Sequence, residues 1–387
     1  MRLRKRAIGL SISGASTNTL VEWLSCPACG QRYGSFISAC PVCGQPNLAQ
    51  RAPARHRKTR VKKIWIISGV VIAAVVAVVL SAGFGPSPSE KLAEYKQYAL
   101  ERINNDRKQF GLNPVLLSNN EAAQKHADEM LQTRKLSHWT TDGMKPYMRY
   151  SINNGTGDVT QNAATQFMFS DGDPAMEARI QLCKRGVAYC DEIDVKQSID
   201  KLQHEMVYND LECCNDGHRH NILDPYHTHV SIGLAFDGVE IFIVQNFENQ
   251  YIDWGKPASY DSNVVSMSGR TLGEADLVDI EIYYDPLPTN QTYQQNADRN
   301  AYDSGDLVGF VISKDLPFSE EAFEDIPVIR ATDWSAAEKN FDISFSLEKL
   351  TSEHGPGVYT LTLIGLELEK EDSEPYSLSS ISIFKQR

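Results

Sequence analysis

Acidic side chains are nearly missing from the first 63 residues, which hold Glu22 alone against 12 Lys and Arg. The shortage then reverses: the remaining residues carry 26 bases and 49 acids. A main body so poor in positive charge argues against a nucleic-acid-binding surface. Charge of either sign is missing from residues 64–85. Familiar nucleophile signatures are missing too. No GxSxG elbow occurs, and Gly155-Thr-Gly157 is no phosphate loop and reads as surface loop. Beyond residue 260 there is one histidine, His354, and no cysteine, so no histidine–carboxylate or thiolate centre is expected there. The overall balance, 42% hydrophobic and 23% charged, excludes a collagen-like, wholly disordered or multi-span membrane chain.

What is present divides the chain into several parts. The uncharged run 64–85 would be about 33 Å long as a helix, enough for a hydrocarbon core. It is expected to be a single transmembrane helix. Residues 51–63 carry seven bases and no acid, whereas Gly85-Pro-Ser-Pro-Ser-Glu90 carries no base. By the positive-inside rule, residues 1–63 are expected in the cytoplasm and residues from about 86 onward outside the cell membrane. The same basic stretch suits contact with anionic lipid heads, with nucleic acid as the weaker alternative.

Cys26-Pro-Ala-Cys29-Gly30 and Cys40-Pro-Val-Cys43-Gly44 each set two thiols on one tight turn. Four thiolates complete a closed tetrahedral site, so a structural Zn²⁺ on Cys26, Cys29, Cys40 and Cys43 is expected, in a short zinc ribbon. The rival is a pair of redox CxxC motifs. So short a segment has no core of its own and depends on metal for its fold. Its expected role is contact with an unidentified cytoplasmic protein partner. The expected order is an N-terminal tail (1–22), zinc ribbon (23–47), basic linker (48–63), transmembrane helix (64–85), α+β domain (88–255) and β-sandwich-like domain (260–387).

In the α+β part, Ser87-Pro-Ser-Glu90 reads as a capping box with proline at the first helical position. Gly111 ends that helix. A second box, Ser118-Asn-Asn-Glu121, is expected to open another, and a third helix covers 195–210. Strands are expected over 229–236 and 240–247, with Asp237-Gly238 as the turn. Past 260 the pattern changes to period two, in Val278/Ile280/Ile282/Tyr284 and Phe341/Ile343/Phe345/Leu347, as in a small β-sandwich. That last part reads as a binding or spacer module.

Seven of the nine histidines fall between 126 and 229. ERINNDRKQFGLNPVLLSNNEAAQKHADEM, then SHW, TQNAA, GHRHNIL, VSIGLAF and VQNF occur in that order. Over residues 90–254 this resembles the CAP superfamily, also called the SCP/TAPS or cysteine-rich secretory protein family. The resemblance implies an α-β-α sandwich with a central cleft holding two histidines and often two acids. By motif the histidines fall on His138 and His218. The first acid's position is Gln161, in Thr160-Gln-Asn162. For the second, Glu205 and Asp210 compete. A neutral amide cannot serve as a general base and binds Zn²⁺ poorly, so any divalent metal in this cleft is expected to be weak. Gln161 can still orient a histidine. CAP proteins have been linked to peptidase activity, lipid or sterol binding, and adhesion.

His126 reads as a core residue, and His220, His227 and His229 as turn caps or water-facing. Cys183, Cys190, Cys213 and Cys214 are expected in disulfides, with a second zinc site as rival. Adjacent cysteines rarely join, so either of the first two is expected to pair with either of the last two, or Cys183 with Cys190. Asn154-Gly-Thr156 and Asn290-Gln-Thr292 match the N-glycosylation pattern. The leading expectation is a single-pass membrane protein that binds an extracytoplasmic ligand, peptide or envelope component in the cleft. One alternative is a peptidase-like hydrolase using His138 and His218 with an acid or a metal. Another is a cross-membrane sensor signalling through the ribbon.

Overall fold

The computed structural model describes residues 23–25, 28, 32–34, 87–167, 178, 182, 193–315, 326–337 and 339–386. The chain falls into two units, Met1–Gly83 and Phe84–Arg387. In the first, β1 (Trp23–Ser25) pairs antiparallel with β2 (Arg32–Gly34). The expected zinc ligands Cys26, Cys29, Cys40 and Cys43 lie outside the described residues, as does the apolar run 64–85. Among the described residues no helix is long and apolar enough to cross a membrane.

The second unit opens with α1 (Pro88–Gln109). Ser87 Oγ accepts from Glu90 N, and the Glu90 carboxylate accepts from Ser87 N, so the box satisfies two orphan donors at once. Gly111, at φ +75, follows the last turn. After β3 (Leu116–Leu117) comes α2 (Ala122–Thr133). Its start differs from the expected box. Ser118 Oγ accepts from Asn120 N, and Asn120 Oδ1 accepts from Ala122 N, while Glu121 pairs with Lys125. The Asn120 side chain thus takes the place of the serine cap.

Next come α3 (Pro146–Ile152), β4 (Asp158–Phe167), α4 (Val195–Tyr208), α5 (Leu211–Cys214), α6 (Gly217–Leu223), β5 (His229–Phe236) and β6 (Glu240–Asn249). The sheet runs β3-β5-β6-β4, with β3 parallel to β5 and the other pairs antiparallel. Strand alternation then sorts the layers. Ile241, Ile243 and Phe247 pack with Ile103 of α1 and Ile199 of α4. Phe242 and Val244 pack with Ala127 and Met130 of α2. The sheet is therefore sandwiched between helices. Gly233 is needed at this layer, because a Cβ there would lie 2.0 Å from the Ala123 carbonyl oxygen.

The remainder is mostly strand: β7 (Ile252–Asp261), β8 (Val264–Thr271), β9 (Asp276–Asp285), α7 (Asn290–Asn296), β10 (Asp306–Ile312), β11 (Val328–Arg330), β12 (Asp333–Ala337), β13 (Asn340–Ser346), α8 (Glu348–His354), β14 (Gly357–Leu366) and β15 (Tyr376–Lys385). They form two sheets, β11-β10-β9-β14-β15 and β12-β13-β8-β7. Ile280, Ile282, Leu361 and Leu363 of one meet Val265, Met267, Ile343 and Phe345 of the other in a shared core. The period-two pattern is the sequence trace of these half-buried strands. β7 runs through 255–260, where a join was expected. It is an edge strand with two bulges, which accommodate Pro257 without breaking a central ladder.

The two layers of this unit are locked together. Lys145 and Asp285, both about nine-tenths buried, pair at 2.7 Å, and the Tyr147 hydroxyl also donates to Asp285. Ser382 N donates to Ser151 Oγ, and Trp254 Nε1 to the Thr156 carbonyl. Gly143 lies so close to the Thr289 backbone that a Cβ would sit 2.2 Å from its oxygen.

Candidate functional site

The site is built on β4, the last strand in its sheet, so among the described residues only one of its edges is paired, with β6. Thr160, Gln161 and Asn162 alternate across it. Gln161 points toward α2 and α3 and is 2% exposed. Its Oε1 accepts from Arg149 Nη2 at 2.9 Å and faces His138 Nδ1 at 3.0 Å. Arginine can only donate, so Oε1 is the acceptor and His138 Nδ1 carries the proton. Gln161 Nε2 donates to Asn246 Oδ1 at 2.9 Å. Arg149 also donates to the His138 carbonyl at 2.7 Å, fixing the turn that presents the ring.

Burial pushes the His138 pKa down to about 4, helped by the charges of Arg149 and His218. Hydrogen bonds to Gln161 and the Asn300 main chain oppose this. The imidazole is neutral at neutral pH. Burial likewise lowers Arg149, to about 10, so that it remains a buried cation whose side-chain hydrogen-bond partner is an amide.

On the other side of β4, Asn162 Nδ2 donates to the His218 carbonyl and Asn162 Oδ1 accepts from Asn221. His218 stands in the first turn of α6. Asp210, 2% exposed, accepts from the main-chain N–H of His218 and Arg219 through Oδ2, and faces His218 Nδ1 at 2.7 Å through Oδ1. This dyad leaves Nε2 as the ring nitrogen away from Asp210. Buried Arg107 secures α6 from behind, donating to the carbonyls of Ile222 and Asp224 at 2.8 Å.

His138, Gln161, Asn162 and His218 line one cavity of about 320 Å³. Its far wall comes from the C-terminal part: Asn300, Tyr302 and Ser304, with Thr360, Thr362 and Ser380. The Tyr302 ring lies 5.1 Å from the His138 ring, and its hydroxyl accepts from Gln161 N at 2.9 Å. Burial raises the Tyr302 pKa, which keeps the phenol protonated.

The structure thus brings together His138, Gln161, His218 and Asp210. It leaves out Glu205, which is exposed on α4 and accepts from Asn209 Nδ2. The helix ends at Tyr208, so residue 205 stays on its outer face while Asp210 falls in the turn beneath α6. Two further expectations are corrected. Cys213 and Cys214 are joined to each other despite being adjacent, while Cys183 and Cys190 lie outside the described residues. His227 is buried against Phe247 and bonded to Asn249. His126 is a core residue, donating from Nε2 to the Ser137 carbonyl. Sequence reasoning missed Arg149, Asn246 and Tyr302. Arg149 alone left a trace, as a lone base in the run Pro146-Tyr-Met-Arg-Tyr150.

Compared with known families, residues 100–247 match CAP, the cysteine-rich secretory protein family, and form a CAP domain. Among solved structures, the CAP domain of Enterococcal PrgA matches with 17% identity and a TM-score of 0.27. The match covers 42% of this chain and 63% of that one. A comparison with curated proteins gives no match.

Proposed function

We propose that the chain binds an extended polar peptide in the cleft between β4 and the Asn300–Ser304 segment. One observation carries this reading: the outward main-chain N–H of Gln161, on a strand edge unpaired among the described residues, is met by a phenol rather than by another strand. A strand edge of this kind accepts a peptide by main-chain pairing. Amide and hydroxyl side chains around it supply both donors and acceptors for side-chain readout. His218, held by Asp210, offers Nε2 to a ligand donor.

In the same reading, residues 64–85 anchor the chain in the cell membrane and the cleft faces outward. Support comes from the seven bases on one flank of that run and none on the other. Cys26, Cys29, Cys40 and Cys43 hold a structural Zn²⁺ and present the ribbon to a cytoplasmic protein.

A second reading, hydrolysis of a bound peptide, draws on the Asp210–His218 dyad, which has the orientation of a general base and its carboxylate. Against it stand the neutral, buried His138 and the amide at 161. One experiment addresses both. Full-length protein in nanodiscs is incubated with a peptide library, and captured and cleaved species are read by mass spectrometry. Capture without cleavage is expected. Replacing backbone amides of a captured peptide by esters should weaken binding at alternate positions, the period of strand pairing. Equal weakening at every position would remove the strand-pairing reading, and cleavage lost in His218→Ala would move the hydrolase ahead.

A further inference from the structure

Asp210, Cys213, Cys214 and His218 each bring one ligand atom to a cluster in which all these atoms lie within 4.8 Å of one another. Peptide binding makes use of His218 and its partner Asp210 but gives the two sulfurs no role. Local geometry explains the convergence. α5 is a single turn, and Asn215 and Asp216 follow it in the left-handed region, at φ 51 and 59. These two residues reverse the chain, so that His218 returns over the Asp210–Cys214 turn. Cys213 Sγ lies 3.5 Å from Asp210 Oδ1 and His218 Nδ1 lies 2.7 Å from the same oxygen.

We infer that Asp210, Cys213, Cys214 and His218 form a Zn²⁺ site when the two cysteines are reduced. Two thiolates, an imidazole and a carboxylate are a donor set that suits zinc. Zn–S bonds of about 2.3 Å and Zn–N or Zn–O bonds of about 2.0–2.2 Å put tetrahedral neighbours roughly 3.3–3.8 Å apart. The cluster reaches that shape by small side-chain rotations. Cys213 is exposed and Cys214 half-buried, so both sulfurs are free to part. The buried Asp210, fixed by two main-chain N–H groups, provides the rigid point.

The Cys213–Cys214 bond and the metal are alternatives, since both require the same sulfurs. A low-molecular-weight disulfide interconverts the two states. The two cysteine thiolates form their mutual S–S bond and give two electrons to the added disulfide. That disulfide takes up two protons from solvent and leaves as two thiols, and Zn²⁺ is released. Cys214 and His218 also line the cavity, so the redox state reaches the peptide cleft. His138 takes no part, which separates this site from a metal held between the two cleft histidines.

Full-length protein with Cys26, Cys29, Cys40 and Cys43 all changed to Ser is titrated with Co²⁺ under a phosphine reductant. One Co²⁺ per chain is expected, with a thiolate-to-cobalt charge-transfer band and tetrahedral d–d bands. Cys213→Ser with Cys214→Ser abolishes the bands, as does Asp210→Asn with His218→Ala, whereas His138→Ala retains them. After the phosphine is removed, oxidised glutathione expels the Co²⁺, and fresh reductant restores it. Circular dichroism confirms the fold of each variant. Bands that survive the double serine change overturn the proposal, as does their absence in the folded, reduced parent. Metal that is lost with His138→Ala but kept without the two cysteines overturns it as well.

Discussion

The main-chain N–H of Gln161 donates to the phenolic oxygen of Tyr302 at 2.9 Å, across 141 positions of sequence. A side chain from the C-terminal part thereby occupies a hydrogen-bonding position on the CAP domain's own edge strand. The cleft is a product of two domains.

Tyr302→Phe should uncouple the two roles of that phenol. The change removes one hydrogen bond and leaves the ring against His138, so stability should fall by about 1 kcal/mol. A pairing peptide no longer competes with the hydroxyl, so its affinity should rise about fivefold. Urea unfolding and peptide titration measure the two. An affinity that falls instead would make the hydroxyl a ligand contact.

Acid should destabilise the folded unit through its buried histidines, with Asp279, raised by burial to about 6, opposing part of the slope. His138 has its pKa lowered from 6.5 to about 4. Between those values the unfolded chain takes up a proton that the folded chain does not, so stability present above pH 6.5 is lost as pH falls toward 4. The shift corresponds to about 3 kcal/mol. Burial lowers His126 and His227 as well, adding to the slope in the same direction. Urea midpoints compared at about pH 7 and about pH 5 should differ less in His138→Gln than in the parent. An unchanged difference would assign the slope to other groups.

Gln161→Glu should fit without rebuilding. One carboxylate oxygen keeps Arg149 and His138. The other faces Asn246, whose Nδ2 is buried without a partner among the described residues and whose amide can turn to donate. The new charge favours the imidazolium, so the His138 pKa should rise by about one unit or more. NMR titration of the ring resonances reads this directly. A His138 pKa that stays near 4 would mean that Arg149 absorbs the new charge.

Asp285→Ala should loosen the joint between the two domains. It leaves Lys145 and the Tyr147 hydroxyl buried with one partner fewer. Stripping a buried ion pair of one partner costs about 3–5 kcal/mol. Chemical denaturation would reveal the loss. A change below about 1 kcal/mol would show that Asp303 suffices for Lys145.

The sequence revealed local signals well. The capping box at Ser87 and the strand 229–236 stand where local chemistry places them, because neighbours in sequence determine both. His138, Gln161 and His218 were singled out through motif order, and all three line one cavity. Asp210 could not be chosen over Glu205, since α4 ends at Tyr208 without the glycine or proline that would mark its stop. Tyr302 was invisible for a different reason. Its part in the site depends on how two domains dock, and no periodicity within residues 290–310 encodes that.

The docking rests on a very short join. β6 ends at Asn249 and β7 starts at Ile252. Both intervening residues are tied down: Gln250 N donates to Thr228 Oγ1, and the Tyr251 hydroxyl to the Tyr226 carbonyl. With no slack there, the CAP domain is not a portable cassette. Transplanted into another protein, it would arrive with its cleft missing a wall. Changes in the shape of this cleft are channelled into substitutions on Asn300–Ser304 and the facing strands, because a two-residue join leaves little room to reorient the domains.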